Sequence, residues 1–525
     1  MSKYQENKMR QRYFFKIFTL GILILLSITI FSCKESTTPP ERKKALDIVL
    51  SPTLTYFGHI PISSSATRPI VVFNSSDETV EIQKINLSGN SGVFTWLQND
   101  VKLPVSLAPL EFLELNIRFE PKQVEKSQAF LTMATTAGSF VDTLEGFGVA
   151  ETNGVRIFER IIGSPQANSG SDVIKATDGG LLIVGSTMVS TEEDYPDIYI
   201  VKTDALGKVL WEKNYGGKDT DQAGHVIATS DGGYLIVGIT DSFGAGGEDV
   251  YLLKIDAQGT EEWTKTLGGG FNDVINQIVA LSSGNYLMVG ATIKSNGQDR
   301  DAWLVQIDES GDVIWNKTFG STEGGETFSG IQQADDGGYF FVGSTTSYGN
   351  GGFDVYLVKV DVNGNEQWFK TYGGSDWDEA SKIRKMPDGT LIISGYTSSK
   401  GAGARDIYLL KVDQKGNLIW DKTYGTPNND AAGGLLVDQN GNIYISGSTV
   451  VRKTKQKQYV DIYMCSTNSE GQIIWEKIFG GKNNESIGRL IFDNDGGIIG
   501  CGSTDSYSKA NDVYLVKFPT SGIDF

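Results

Sequence analysis

The chain has 525 residues with 63 glycines, only 13 prolines and 39% hydrophobic content, which excludes a disordered Pro/Gly tract and leaves ample material for a packed core. Three cysteines (Cys33, Cys465, Cys501) exclude a disulfide scaffold, and two histidines (His59, His225) argue against a multi-histidine metal site or histidine-based catalysis. A net charge of −18 disfavours nucleic acid as a partner, because phosphates demand Lys and Arg.

Residues 1–33 read as an export signal. Lys3, Lys8, Arg10, Arg12 and Lys16 precede an apolar stretch from Ile17 to Phe31. That stretch is shorter than the roughly 20 residues a spanning helix needs. It ends Thr29-Ile30-Phe31-Ser32-Cys33, which resembles the lipobox of bacterial lipoproteins, with Phe31 bulkier than the residue usual there. The resemblance implies that Cys33 is lipidated and becomes the first residue of the mature chain. Each acyl methylene buried in the bilayer then contributes about 0.8 kcal/mol. An uncleaved N-terminal anchor helix is the alternative. Removing this segment of net charge +4 takes the chain from −18 to −22. Residues 34–46, polar with Pro39-Pro40, read as a flexible tether.

Residues 47–150 carry alternating or apolar runs at Ile70–Phe73, Val80–Ile82, Leu113–Ile117 and Ala129–Leu131. Turn clusters such as Asn74-Ser75-Ser76-Asp77 and Ser88-Gly89-Asn90 separate them. Such period-two strands predict an immunoglobulin-like β-sandwich. Tyr56-Phe57-Gly58, Asn74, Ala108-Pro109, Phe119-Glu120-Pro121 and Glu145-Gly146-Phe147-Gly148 resemble the immunoglobulin-like modules related to major sperm protein. The resemblance implies a spacer or contact domain. His59 reads as a loop residue.

From residue 155 to 525 one unit repeats. Trp211, Trp263, Trp315, Trp368, Trp420 and Trp475 stand 52 to 55 residues apart, each followed by a lysine, an aromatic or leucine, and a glycine, as in Trp211-Glu212-Lys213-Asn214-Tyr215-Gly216. Asp197, Asp249, Asp301, Asp354, Asp406, Asp461 and Asp512 each open an apolar strand, and turns such as Asp231-Gly232-Gly233 recur. A period near 50 with about four strands per unit predicts a propeller or a solenoid. The second unit places them at His225–Thr229, Tyr234–Val237, Asp249–Ile255 and Thr260–Thr266.

A permutation decides between them. The seventh unit stops without its fourth strand, and Val155–Gly163 matches the register of Gln472–Gly480, with Phe158 standing 53 residues before Trp211. A ring uses this arrangement to pair both free edges. The expected fold is therefore all-β: an immunoglobulin-like sandwich followed by a seven-bladed β-propeller closed by an N-terminal strand. The Asp-x-x-Gly-x-x-x-Trp segments from Asp204, Asp256, Asp308, Asp361 and Asp413 are similar to the tryptophan-docking turns of quinoprotein-type propellers. The whole unit more closely resembles bacterial secreted β-propeller repeats, which is informative about fold and nearly silent about activity.

Positions that differ between units point to function, because repeated positions serve the fold. At the predicted start of the innermost strand stand Asp172, His225, Gln277, Gly330, Lys382, Gly434 and Arg489. They are expected to ring the mouth of the central channel. That ring is either solvated lining or a site for a small polar ligand, with Asp172, His225, Gln277, Lys382 and Arg489 as the binding residues. In the sixth unit the segment Val451–Tyr459 reads as a long loop. Its Arg452, Lys453, Lys455 and Lys457 beside Tyr459 form a candidate partner patch, and a merely solvated loop is the alternative. Loop carboxylates are read at Asp221, Asp273, Asp378 and Asp430, with Asn168, Gly325 and Glu485 in the other units. Repeated carboxylates of this kind accept loop amides; calcium is the alternative, leaving the metal question open.

No nucleophile or acid–base set gathers in the sequence, Arg300, Arg384, Arg405, Arg452 and Arg489 are scattered, and Cys465 and Cys501 are not adjacent. Neither a hydrolase nor a quinoprotein dehydrogenase is expected, and no cofactor. The expected protein is a non-enzymatic lipid-anchored scaffold at the outer membrane or cell surface, binding an envelope protein. A glycan-binding role through Tyr348, Trp377 and Tyr507 comes second, and a propeller-type hydrolase is a distant third.

Overall fold

The computed structural model describes residues 48–522 except 52–53, 63, 90–91, 98–100, 124, 150–154, 164–165, 189–194, 294–299, 322–323, 454–456 and 507–510. Cys33, Lys455 and Tyr507 lie outside the described residues. Those described are all-β, with no helix.

Two sheets form the N-terminal part. Ile48–Ser51, Ala66–Asn74, Phe112–Phe119 and Phe94–Trp96 make the first, in that order. The second runs Leu54–Pro61, Gly138–Val149, Lys126–Thr135, Val80–Gly89 and Val105–Leu107. The alternation along Ala66–Asn74 and Lys126–Thr135 sends one face of each strand into a shared core containing Phe57, Ile70, Val72, Leu115, Phe119, Leu131 and Met133. His59 is not in a loop: its backbone pairs with Phe147 in a parallel ladder. The turn reading failed there because Gly58 lies at a ladder irregularity between Tyr56 and His59 rather than at a strand end.

Seven four-stranded antiparallel sheets follow. Sheets 1 to 6 occupy residues 168–215, 221–267, 273–319, 326–372, 378–424 and 430–479. Sheet 7 combines Glu485–Phe492, Gly497–Thr504 and Asp512–Pro519 with the earlier strand Phe158–Ile162. No sheet closes on itself; the circle is made by packing. Each first strand contacts the first strand of the next sheet, and that of sheet 7 contacts that of sheet 1.

Burial explains the strand types. The second and third strands, such as Tyr234–Thr240 and Asp249–Ile255, are buried along nearly their whole length because both faces meet neighbouring sheets. Seven apolar cores result, one at each junction. Leu182, Val184 and Ile198 meet Ile236 and Leu253 between sheets 1 and 2. Phe158, Val513 and Leu515 meet Val173, Ile183 and Tyr199 between sheets 7 and 1.

Each tryptophan of the repeat lies on a turn glycine of the next sheet, which belongs to an Asp-x-x-Gly turn for Trp211, Trp263, Trp315 and Trp368, to Asn468–Gly471 for Trp420 and to Pro519–Gly522 for Trp475. A Cβ on Gly259, Gly311, Gly364 and Gly416 would stand within 2.6–2.8 Å of Trp211, Trp263, Trp315 and Trp368. Phe158 takes this role toward Gly207 of sheet 1, at 3.2 Å. The turn is locked from both sides. Asp256 Oδ1 accepts the amides of Gln258 and Thr260 at 2.9 and 2.7 Å, and the Gly259 carbonyl accepts Lys213 Nζ at 2.8 Å and the Tyr215 hydroxyl. Gly259 sits at φ 74°, where a side chain is strained as well as crowded.

The N-terminal part joins the ring at the closing strand. Arg68 Nη2 meets Glu159 Oε2 at 2.5 Å and Arg68 Nη1 donates to the Glu159 carbonyl at 3.1 Å, both side chains being buried. The Tyr514 hydroxyl donates to the other Glu159 oxygen at 2.8 Å.

Two glycines separate backbone strain from ring contact. Gly232 has φ 86° and open space around it. Gly232→Ala is therefore expected to cost about 1 kcal/mol from backbone strain alone. Gly259→Ala adds a clash with the Trp211 ring and should cost about 1–3 kcal/mol more. Chemical denaturation compares them; equal losses would mean that the tryptophan contact contributes nothing.

Candidate functional site

The seven first strands begin at Asn168, Asp221, Asp273, Glu326, Asp378, Asp430 and Glu485. This corrects two sequence assignments. Asp172, His225, Gln277, Gly330, Lys382, Gly434 and Arg489 do not open the innermost strand but are its fifth residues. In six sheets the ladder register shifts immediately before this residue, as between Ala223 and His225, and in sheet 6 the shift extends through Gly434. The strand was read too short because small or polar residues such as Gly224 precede that position and break the apolar pattern. The carboxylate of sheet 4 is Glu326, not Gly325, since the loop from Gly320 holds one residue more than its counterparts.

Four of the five proposed channel residues come together. Arg489 Nε lies 2.8 Å from Asp172 Oδ1, and His225 Nδ1 lies 3.2 Å from Asp172 Oδ2. Asp172 Oδ2 also accepts the Val226 amide at 3.2 Å. Burial pushes the Asp172 pKa up, but Arg489, His225 and the amide outweigh it and hold the carboxyl below its usual range. Burial lowers the His225 pKa against the pull of Asp172, with Lys382 and Arg489 adding to the fall. Lys382 is pushed down to about 8 by burial and by the charges of Arg489 and Arg384. Arg384, two residues further along the same strand, belongs to this cluster although sequence reasoning had set it among scattered arginines. The signal was its spacing: residues two apart share a strand face. Gln277 does not join the charged group; it is buried, and its Oε1 accepts the Ile331 amide of sheet 4 at 3.0 Å.

The loop carboxylates hold turns. Asp221 Oδ2 accepts the Gly217 amide and the Ser242 hydroxyl, each at 2.7 Å. Asp273, Asp378 and Asp430 accept the equivalent amides of Gly269, Gly374 and Thr426 at 2.7–2.8 Å. Each acid faces the third-strand aspartate of the preceding sheet. Burial, with the neighbouring carboxylate adding to it, raises the pKa of Asp197, Asp249 and Asp354. Among the described residues no group of three or more His, Cys, Asp or Glu side chains gathers as a metal cluster would.

A set of buried lysines escaped the sequence reading. Lys202, Lys254, Lys359, Lys411 and Lys517 lie on third strands and pair with Asp178, Asp231, Asp336, Asp388 and Asp495 of the Asp-Gly turns at 2.6–3.0 Å. In sheet 3, where that turn is Ser282-Ser283-Gly284, the lysine position holds Gln306. The two changes occur together and were readable as a correlated loss across the repeats.

The sixth-sheet segment is a projecting hairpin rather than a long loop. Strands Ile443–Lys453 and Gln458–Thr467 extend into it, pairing Arg452 with Tyr459 and Lys453 with Gln458. Lys457 Nζ lies 4.9 Å from the centre of the Tyr459 ring. Beside it opens a polar cleft of about 640 Å³ lined by Ser448, Lys457, Asn483, Asn484 and Asp505 among others. Of the aromatics read as glycan contacts, Trp377 is half exposed, with its ring edge-on to Phe353. Tyr348 instead packs against Tyr356 and Phe369. Cys465 and Cys501 are buried free thiols.

Residues 247–500 match the family described as outer membrane protein assembly factor BamB, so this stretch consists of BamB-like β-propeller repeats. The regulatory protein FlaEY of Caulobacter vibrioides is 24% identical over 227 residues, a match covering 37% of this chain and 24% of that protein. The match thus spans about a quarter of that relative's length. A quinoprotein alcohol dehydrogenase-like protein of Bacteroides thetaiotaomicron is 10% identical, with 83% of this chain and 96% of that one covered and a TM-score of 0.38. The β-propeller domain of the Trilobed protease of Pyrococcus furiosus is 11% identical, with 68% and 96% covered and a TM-score of 0.37.

The two kinds of carboxylate make stability depend on pH in opposite senses. Burial raises Asp142 to about 6, and it raises Asp197, Asp249 and Asp354 as well; stability from these groups is lost as pH rises through the folded values. Asp231 moves the other way. Although burial opposes the shift, its bonds to Lys254, Thr229 and a turn amide hold it at about 2, so its stabilisation is lost as pH falls toward that value. The carboxylate contribution to the melting temperature should therefore peak near pH 4 and decline toward pH 6. A peak above pH 7 would contradict this assignment.

Proposed function

We propose that the chain is a lipid-anchored, non-enzymatic scaffold of the cell envelope. In this reading a seven-bladed propeller presents the partner-binding surfaces, and an immunoglobulin-like sandwich spaces it from a membrane held through Cys33. The observation that carries the reading is the match of residues 247–500 to a family described by outer-membrane assembly. The placement of polar residues supports it. Side chains repeated from sheet to sheet hold turns and junctions, whereas non-repeating ones collect in the channel and on the sixth-sheet hairpin, where a partner reaches them.

Photo-crosslinking in intact cells tests this, with a reactive analogue placed at Lys457 or at Trp377. The expected result is a crosslink to one discrete envelope protein, together with fatty-acid labelling that Cys33→Ser abolishes. Absence of both crosslink and label would overturn the scaffold reading. Saturable binding on a glycan array without any protein crosslink would move the assignment to a glycan-binding lipoprotein.

A further inference from the structure

The inner strands bring three cationic side chains to one place with a single carboxylate to answer them. Lys382 and Arg384 come from the first strand of sheet 5, Arg489 from that of sheet 7, and Asp172 from that of sheet 1. The electrostatic influence of Arg489 and Asp172 reaches both Lys382 and Arg384. Arg489 meets Asp172 through Nε at 2.8 Å, and Arg384 Nη1 donates to the Ile383 carbonyl at 2.8 Å. Lys382 makes no hydrogen bond or ion pair among the described residues. Its side chain is partly buried and still reached by water.

This arrangement is costly. A surplus of two positive charges in a confined, poorly solvated space loses hydration and gains like-charge repulsion. The chain as a whole carries −18, acids outnumbering bases by 64 to 46, yet Asp172 is the one carboxylate among the described residues that acts on both Lys382 and Arg384. A surplus of forked and point-charge donors around a small water-reached space is the recognition chemistry of an oxyanion.

We propose that the central channel binds a small dianionic ligand, a free phosphate or dicarboxylate, between Lys382, Arg384 and Arg489, with Asp172 positioning Arg489. Arg489 presents its terminal guanidinium nitrogens while Nε is fixed by Asp172, and Lys382 supplies a rotatable ammonium. His225, whose pKa burial lowers, contributes a hydrogen bond rather than a charge. This inference is independent of the scaffold reading and stands or falls without it.

Calorimetric titration of the full-length chain in detergent, with inorganic phosphate, with malonate and with uncharged malonamide, provides the test. One saturable site is expected for at least one of the two anions and none for malonamide. A site filled by phosphate alone would assign a phosphate ligand, and one filled by malonate alone a dicarboxylate. Lys382→Met should weaken binding about tenfold or more, and Asp172→Asn should tighten it, because each changes the local charge by one unit in opposite senses. Lys382→Met should also melt no lower than wild type without ligand, which separates lost affinity from lost fold. Where malonate binds, its affinity should fall between pH 7 and 9 as Lys382, which Arg489, Arg384, Asp172 and His225 face, deprotonates near 8. Saturation with neither anion, or unchanged affinity in Lys382→Met, would overturn the proposal.

Discussion

A sheet whose two faces are both apolar is stable only if a neighbour stands against each face at a fixed distance, and in this chain the tryptophan–glycine contact sets that distance. The ring of Trp211 can lie on the turn of the next sheet because Gly259 has no Cβ, and the turn holds still because Asp256 ties its amides. Repetition of the contact fixes how each sheet meets the next, and so where all seven apolar cores fall. Six tryptophans cannot make seven junctions. Phe158 makes the last one, which is why the strand that precedes sheet 1 in the chain belongs to sheet 7.

Closure by a distant strand also determines how force and disorder pass between the two parts of the molecule. The closing strand carries Glu159, and the buried pair of Glu159 with Arg68 ties the N-terminal sheets to this strand, the first that follows them in the chain. Breaking a buried pair leaves an uncompensated charge, so the cost of parting the two units falls on the strand that completes the ring. Tyr514 adds a hydrogen bond to the same carboxylate from the neighbouring strand. The join and the closure are thus a single structural element.

Most of this architecture was legible because repetition multiplies weak signals. One Asp-x-x-Gly turn says little, but five with tryptophan at a constant offset specify a contact, and the missing fourth strand of the last unit shows where the ring closes. What was not legible had local causes. The bulge before His225 interrupts the apolar pattern, so the inner strand was read four residues short and its fifth residue was taken for its first. The extra residue after Gly320 moved one carboxylate by a single place. The buried lysines were overlooked because Lys is expected at the surface. The concerted changes mark them as partners of the turn aspartates: Gln306 with Ser283 in sheet 3, and Ser466 with Asn440 in sheet 6.

The same repetition tells fold from function along the inner strands. Position five of the inner strand follows or falls within a register shift in all seven sheets, yet it holds Asp, His, Gln, Gly, Lys, Gly and Arg. Two of these side chains serve packing in a recognisable way: Gln277 and Asp172 each accept a backbone amide from the following sheet, at 3.0 and 3.2 Å. A neutral amide at position 277 does this as well as a carboxylate, so the negative charge at position 172 is not required by the junction. It is required by Arg489, and Arg489 in turn is required by no repeated contact. Once the contribution of the fold is set aside, a charged group is left that the ring's symmetry does not explain and that the ring holds in place.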